Sequence, residues 1–135
     1  MIGLDTNILV RLVMQDEPIQ TAQVVDFLSK VKQSGETLLV NNVVLCELVW
    51  VLGRGYKVPK EKILSFLNEL IHTKEVRFFN KEILRHAIEL YKKGQGDFAD
   101  YLNFATNKEA GCIETYSFDG KLIQEGVFKA PLQIH

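Results

Sequence analysis

The chain is poor in the residues that announce the commoner kinds of site. It holds two cysteines, Cys46 and Cys112, in 135 residues. They are too few for a disulfide framework and too far apart for a thiolate metal site. They read as buried free thiols in a protein of a reducing cytoplasm. His72, His86 and His135 have no partners in metal-ligand spacing, so an imidazole-based zinc centre is excluded. No Walker loop and no G-x-S-x-G elbow occurs. Charge of one sign is also lacking, because 16 Lys and Arg stand against 17 Asp and Glu for a net charge of −1. A nucleic-acid partner would therefore have to be met by a local patch rather than by a global field. No apolar run reaches the roughly 18 residues of a membrane span, and the amino terminus has no basic leader pattern. Neither repeats nor a Pro/Gly/Ser-rich linker divides residues 1–135, which are expected to form one domain.

What is present is an alternation of short strands and helices. Met1-Ile2-Gly3-Leu4 reads as a short buried strand that stops at Asp5. Residues 8–13 follow as a helix. A second begins at Pro18 and runs to Lys32, with Ala22, Val25, Phe27, Leu28 and Val31 at helical spacing and Ser34-Gly35 as its end. Strand character returns at Thr37-Leu38-Leu39-Val40, at Glu75-Val76-Arg77-Phe78, at Cys112-Ile113-Glu114-Thr115-Tyr116 and at Pro131-Leu132-Gln133-Ile134. Between them helices are expected over 43–52, from Pro59 through Ile71, over 81–93 and from Asp97 to Glu109, with a helical turn at 121–125. Such alternation predicts an α/β fold with a mostly parallel sheet.

The acids fall at the ends of these elements. In an open parallel sheet, ligands bind beyond the carboxyl ends of the strands, and Asp5 sits at such an end. It would equally serve as the N-cap of the next helix. Glu47 lies among Val43, Val44, Leu45, Leu48, Val49, Val51 and Leu52, a helix apolar nearly all round and so expected to be buried. An ionised carboxylate there must be paired, with Arg11 or Arg54 for example, or bound to a cation. Asp97 and Asp100 share one helical face and read either as a capping box or as ligands. Asp119 ends the fourth expected strand in an Asp-Gly turn, common for local reasons alone. Four like charges drawn together need a compensating cation, and oxygen donors without His or Cys favour Mg²⁺ or Mn²⁺. Such an ion suits hydrolysis of a phosphodiester. Arg11, Arg54, Lys57 and Lys121 are the candidate phosphate contacts, though each reads as readily as a solvated surface charge.

Taken in order, Leu4-Asp5-Thr6-Asn7, Glu47 in its apolar helix, Asp97-Phe98-Ala99-Asp100 and Thr115-Tyr116-Ser117-Phe118-Asp119 resemble the PIN-domain ribonucleases. The chain's size is similar to the VapC toxins of toxin–antitoxin pairs. The resemblance implies a three-layer α/β/α fold of four to five strands in the order 3-2-1-4-5, with the first strand central. It also implies a Mg²⁺- or Mn²⁺-dependent endoribonuclease, often a homodimer and restrained by a cognate antitoxin. Trp50 and the 63–71 helix are the expected apolar surface of such a dimer. The resemblance carries the acidic set onto Asp5, Glu47, Asp100 and Asp119, with Asp97 beside them. Asp100 ranks above Asp97 because it stands eleven residues before Gly111, where the family's third acid usually falls. Asp5 and Asp100 would ligate the principal ion. Glu47 would bind a second ion or orient the attacking water, and Asp119 would complete the pocket. Thr6 and Asn7 match the polar pair after the first acid, and Ser117 or Thr115 the hydroxyl before the last. Gly120-Lys121 departs from the family, many members of which carry a charge directly after the acid.

Two other readings compete. A phosphotransfer domain of the receiver or haloacid-dehalogenase type would want paired acids at the first strand end or a second Asp two residues on, where Asn7 stands. A non-catalytic interaction module would use the acids only as helix caps.

Overall fold

The computed structural model describes residues 1–133, in two compact units, Met1–Phe79 and Asn80–His135. The first unit is built on a parallel sheet of three two-residue strands, β1 (Ile2–Gly3), β2 (Leu38–Leu39) and β3 (Val76–Arg77). Ile2 stands opposite Leu38, and Leu38 opposite Val76. The ladder extends one residue further at each step, from the Leu4 amide to the Leu39 carbonyl (3.1 Å) and from Val40 to Arg77 (3.0 Å). The strands are short because helix caps follow them almost at once. Asp5 caps α1 (Thr6–Met14). The Asn41 side chain accepts from the Val44 amide and caps α3 (Asn42–Trp50).

Helix α2 (Pro18–Ser34) starts with proline at its first position and ends on Gly35 at φ 74°, the left-handed conformation that glycine adopts without a steric penalty. Its inward stripe differs from the expected one. Val24 and Val31 are buried and Phe27 and Leu28 half-buried, while Ala22 and Val25 face out. The apolar spacing allowed both choices, and packing took the stripe that keeps Lys30 with Asp26 in solvent. Helix α3 does not end at the glycines. It passes into a π-helical turn, Val51–Gly55, before α4 (Lys60–Ile71). Ile63, Leu67, Leu70 and Ile71 of α4 point into the unit's core, so the apolar face expected to dimerise is already used. A cavity of about 240 Å³ lies among Leu9, Leu28, Leu38, Phe66 and Val76, between the sheet and helices α1, α2 and α4.

The second unit holds α5 (Lys81–Lys93), α6 (Phe98–Glu109) and α7 (Gly120–Gln124). Helix α5 packs along α6 through an edge-to-face pair of Tyr91 and Phe98, with centroids 5.7 Å apart, the arrangement that aromatic quadrupoles favour. Phe98 and Tyr101 are almost completely buried.

The expected fourth and fifth strands do not form among the described residues. Cys112 and Ile113 are exposed, Ile113 almost fully. Only a parallel bridge between Tyr116 and Lys129 remains of the pairing. Pro131–Gln133 is a 3-10 turn, and Ile134 lies outside the described residues. The middle strand of the sheet is therefore β2, and the order 3-2-1 is seen without its continuation. A strand at 112–116 would need apolar side chains on a buried face, and Glu114 and Thr115 interrupt that pattern. The cysteines are free, as expected, but not both buried, for Cys112 is exposed and Cys46 half-buried. Burial raises the Cys46 thiol above its ordinary pKa. Among the described residues no helix is long and apolar enough to cross a membrane.

Neighbouring positions on α3 should separate cleanly. Leu48 is fully buried and Val43 is 68% exposed. Leu48→Ala should cost about 2–5 kcal/mol by leaving a cavity, and Val43→Ala within about 0.5 kcal/mol of nothing. Urea melts of the two variants measure both.

Candidate active site

In the first unit, the chain leaves β1 and turns into α1 at Asp5. The side chain of Asp5 accepts the Thr6 amide at 2.7 Å, which fixes it at the start of α1. Asp5 is exposed, not sunk in a crevice, because only Leu4 of its strand is buried. Thr6 is buried, and its hydroxyl donates to Glu47 Oε1 at 3.3 Å. That bond joins α1 to α3 and orients the Glu47 carboxylate.

Glu47 corrects an expectation. It is exposed, on a face of α3 that also carries Val43 and Trp50, the latter 59% exposed. Helix α3 is apolar nearly all round in sequence, but Val43, expected in the core, is on the surface, and Trp50 is exposed as expected of a dimer surface. Of the two cations weighed as ion-pair partners for Glu47, Arg11 bridges Asp16 at 2.8 Å. Asn7 and Arg11 line one wall of a cavity of about 370 Å³, with Gln20, Gln23 and Phe27 of α2 opposite. Arg54 is exposed on the π-helical turn, and Lys57 is exposed just beyond it with φ 57°, in the left-handed region.

In the second unit, Asp97 and Asp100 open α6. The Asp97 amide donates to Asp100 Oδ2 at 2.9 Å, and the Asp100 amide to the Asp97 carbonyl at 3.0 Å, within a reciprocal capping box. Asp119 caps α7 through the amides of Lys121 (2.9 Å) and Leu122 (3.4 Å). The Ser117 hydroxyl accepts the Asp119 amide at 3.0 Å and so holds the turn that presents the acid. Thr115 is buried, and its hydroxyl accepts a hydrogen bond from the Asn107 side-chain amide at 3.2 Å. Lys121 is exposed on α7.

The electrostatics of this unit centre on Asp100. Burial first, then the charges of Asp97, Asp119 and Glu125, hold its carboxyl above the ordinary range, while the bond from the Asp97 amide opposes them. Two groups here carry no signal at the level of motif. Glu125 accepts the Gln95 amide at 2.6 Å and the Tyr101 hydroxyl at 2.7 Å. Burial, then that bond to Glu125, pushes the Tyr101 hydroxyl up to about 12. The Gly94-Gln95-Gly96 break was the available clue. A Cβ on Gly96 would come within 2.5 Å of Leu122 Cδ2 and 3.2 Å of Asp100 Oδ2, so the loop lies directly against the acids.

The donors are all hard oxygens, which suits Mg²⁺ or Mn²⁺. The half-buried Asp100 among like charges is the kind of group that a cation relieves. Among the described residues no three His, Cys, Asp or Glu side chains are grouped to hold an ion outright. The fit is thus one of chemistry.

Both units fall within one match to a known family. A PIN-domain profile covers residues 2–125. A VapC ribonuclease from Aquifex aeolicus (strain VF5) is 34% identical over 116 residues, which is 85% of this chain and 84% of that protein. No solved structure matches the chain. The chain belongs to the PIN-domain family, in its VapC branch, and so stands among nucleases. PIN nucleases generally need a divalent metal ion, and VapC toxins bind RNA and work with VapB antitoxins.

Asp100→Asn tests the crowding. Because Asp100 has a raised pKa in the folded state, its ionisation opposes folding. The penalty is absent below the ordinary carboxylate range, grows as pH rises through the ordinary and then the raised value, and is complete above it. The metal-free variant should therefore be more stable than wild type at neutral pH, by at most about 1 kcal/mol after solvent screening. The gain should vanish in acid. Thermal melts at both pH values measure it.

Proposed function

We propose that the protein is a Mg²⁺- or Mn²⁺-dependent endoribonuclease, the toxin of a VapBC-type pair, working as a single PIN domain over residues 1–135. The observation that carries the metal-dependent reading is the half-buried Asp100 crowded by Asp97, Asp119 and Glu125. The sequence similarity to a VapC ribonuclease supports the RNA substrate. A bound divalent ion supplies a water of lowered pKa and stabilises charge on the phosphodiester.

The chain's own residues divide the remaining work. Asp5 and Asp100 are assigned as the principal metal ligands, with Asp97 and Asp119 completing the acidic set. Glu47, oriented by the Thr6 hydroxyl, takes a second ion or directs the attacking water. Ser117 holds Asp119 in its turn, and Asn7 extends the polar edge after Asp5. Arg11, Arg54, Lys57 and Lys121 are assigned to backbone phosphates; each contributes a local positive charge to a chain of net charge −1. A cognate antitoxin is the assigned protein partner, and a homodimer formed through the exposed Val43 and Trp50 face of α3 the assigned assembly. The cytoplasm is the assigned location.

Purified protein should cleave RNA with Mn²⁺ or Mg²⁺ and stop on addition of EDTA. Asp5→Asn and Asp100→Asn should each lower the rate by about a hundredfold or more, since losing a metal ligand should cost at least as much as losing an outer partner of one. Cleavage that survives EDTA in both variants would overturn the assignment.

A further inference from the structure

Three successive amides in the loop before α6 are each held by a different side chain. Gln95 donates to Glu125 Oε2 at 2.6 Å, Gly96 to the Tyr101 hydroxyl at 2.8 Å, and Asp97 to Asp100 Oδ2 at 2.9 Å. The Tyr101 hydroxyl in turn donates to Glu125 Oε1 at 2.7 Å. Glu125 is the C-cap residue of α7, and Asp119 is the N-cap of the same helix. A single carboxylate therefore ties the element that carries Asp119 to the loop and helix that carry Asp97 and Asp100.

The tie is tight. A Cβ on Gly94 would collide with the Tyr101 hydroxyl, and one on Gly96 would come within 3.0 Å of it. Only glycine lets the backbone lie this close to the tyrosine. Tyr101 is fully buried, so its hydroxyl has a fixed direction. The charges of Asp97, Asp119 and Glu125 all bear on Asp100, so the strut works against their mutual repulsion.

We propose that Glu125, acting through Tyr101 and the Gly94–Gly96 backbone, is a positioning residue that sets the distance between Asp119 and the Asp97/Asp100 pair. The inference deepens the metal-dependent reading and rests on it. The part of Glu125 is that of an outer carboxylate, which fixes the loop and helix that carry the acids and is assigned no place on the ion itself.

Two measurements on the purified full chain test this. Calorimetric titration with Mn²⁺ should show about tenfold weaker binding in Glu125→Ala and in Tyr101→Phe, and a double variant no weaker than the poorer single. Glu125→Gln keeps one acceptor and should lose less. In the metal-free protein, hydrogen exchange at the Gln95 and Gly96 amides should quicken in Glu125→Ala, with the α5 amides unchanged. Wild-type Mn²⁺ affinity in a folded Glu125→Ala variant would overturn the proposal. Should that variant not fold, Tyr101→Phe decides, and unchanged affinity there overturns it equally. If wild type itself binds no Mn²⁺, the metal-dependent reading fails and takes the ligand-spacing role with it. The exchange data would then still show whether the strut holds the loop.

Discussion

Mutual repulsion among carboxylates is the constraint around which the second unit is arranged. Asp97, Asp119 and Glu125 all raise the cost of ionising the half-buried Asp100. A fold that only needed stability would place alternate charges there or none. Here the acids are kept near one another and their oxygens are occupied by amides of Asp97, Lys121, Leu122 and Gln95. Helix caps and loop amides supply partial positive charge, enough to fold the unit but not to neutralise it. On the metal-dependent reading, that deficit is what a bound cation would relieve.

The first unit meets the same problem with one bond instead of a network. Asp5 rests on its neighbouring amide, and Glu47 is exposed and steered by the buried Thr6 hydroxyl. Because Thr6 is buried in the unit that contains both helices, the direction of Glu47 depends on core packing. Small changes in how α1 and α3 meet are transmitted to a carboxylate that touches neither core. Of the two explanations that compete when the sequence is read alone, capping is the one these side chains are seen to perform.

How far the sequence carried this result varies by element. Helices α5 and α6 were legible to the residue or nearly so, since their apolar spacing, caps and glycine stops agree with one another. Asp5, Asp97, Asp100 and Asp119 stood out because each lies at a helix start, and Glu47 because it interrupts an apolar helix. The strands were less legible. Two-residue pairings with caps on either side leave too little alternation to mark their ends, and residues 112–116 have β-branched character without a face to bury. The exposure of Glu47 was hidden because Val43 looks like a core residue and sits on the surface. Glu125 and Tyr101 were hidden for a different reason. Their roles come from tertiary hydrogen bonds to a loop 30 and 5 residues away, and no local pattern encodes such a link.

The π-helical turn Val51–Gly55 has a bearing on how this chain compares with others. A π-turn is geometrically one residue spliced into an α-helix, and each residue advances a helix by about 100°. The wider turn absorbs that extra residue, so removing one residue between 51 and 55 would rewind it to ordinary α-helix while Tyr56 and Lys57 keep nearly the same direction. A one-residue gap in this stretch among relatives would therefore leave the surface beyond it, Lys57 included, largely in place.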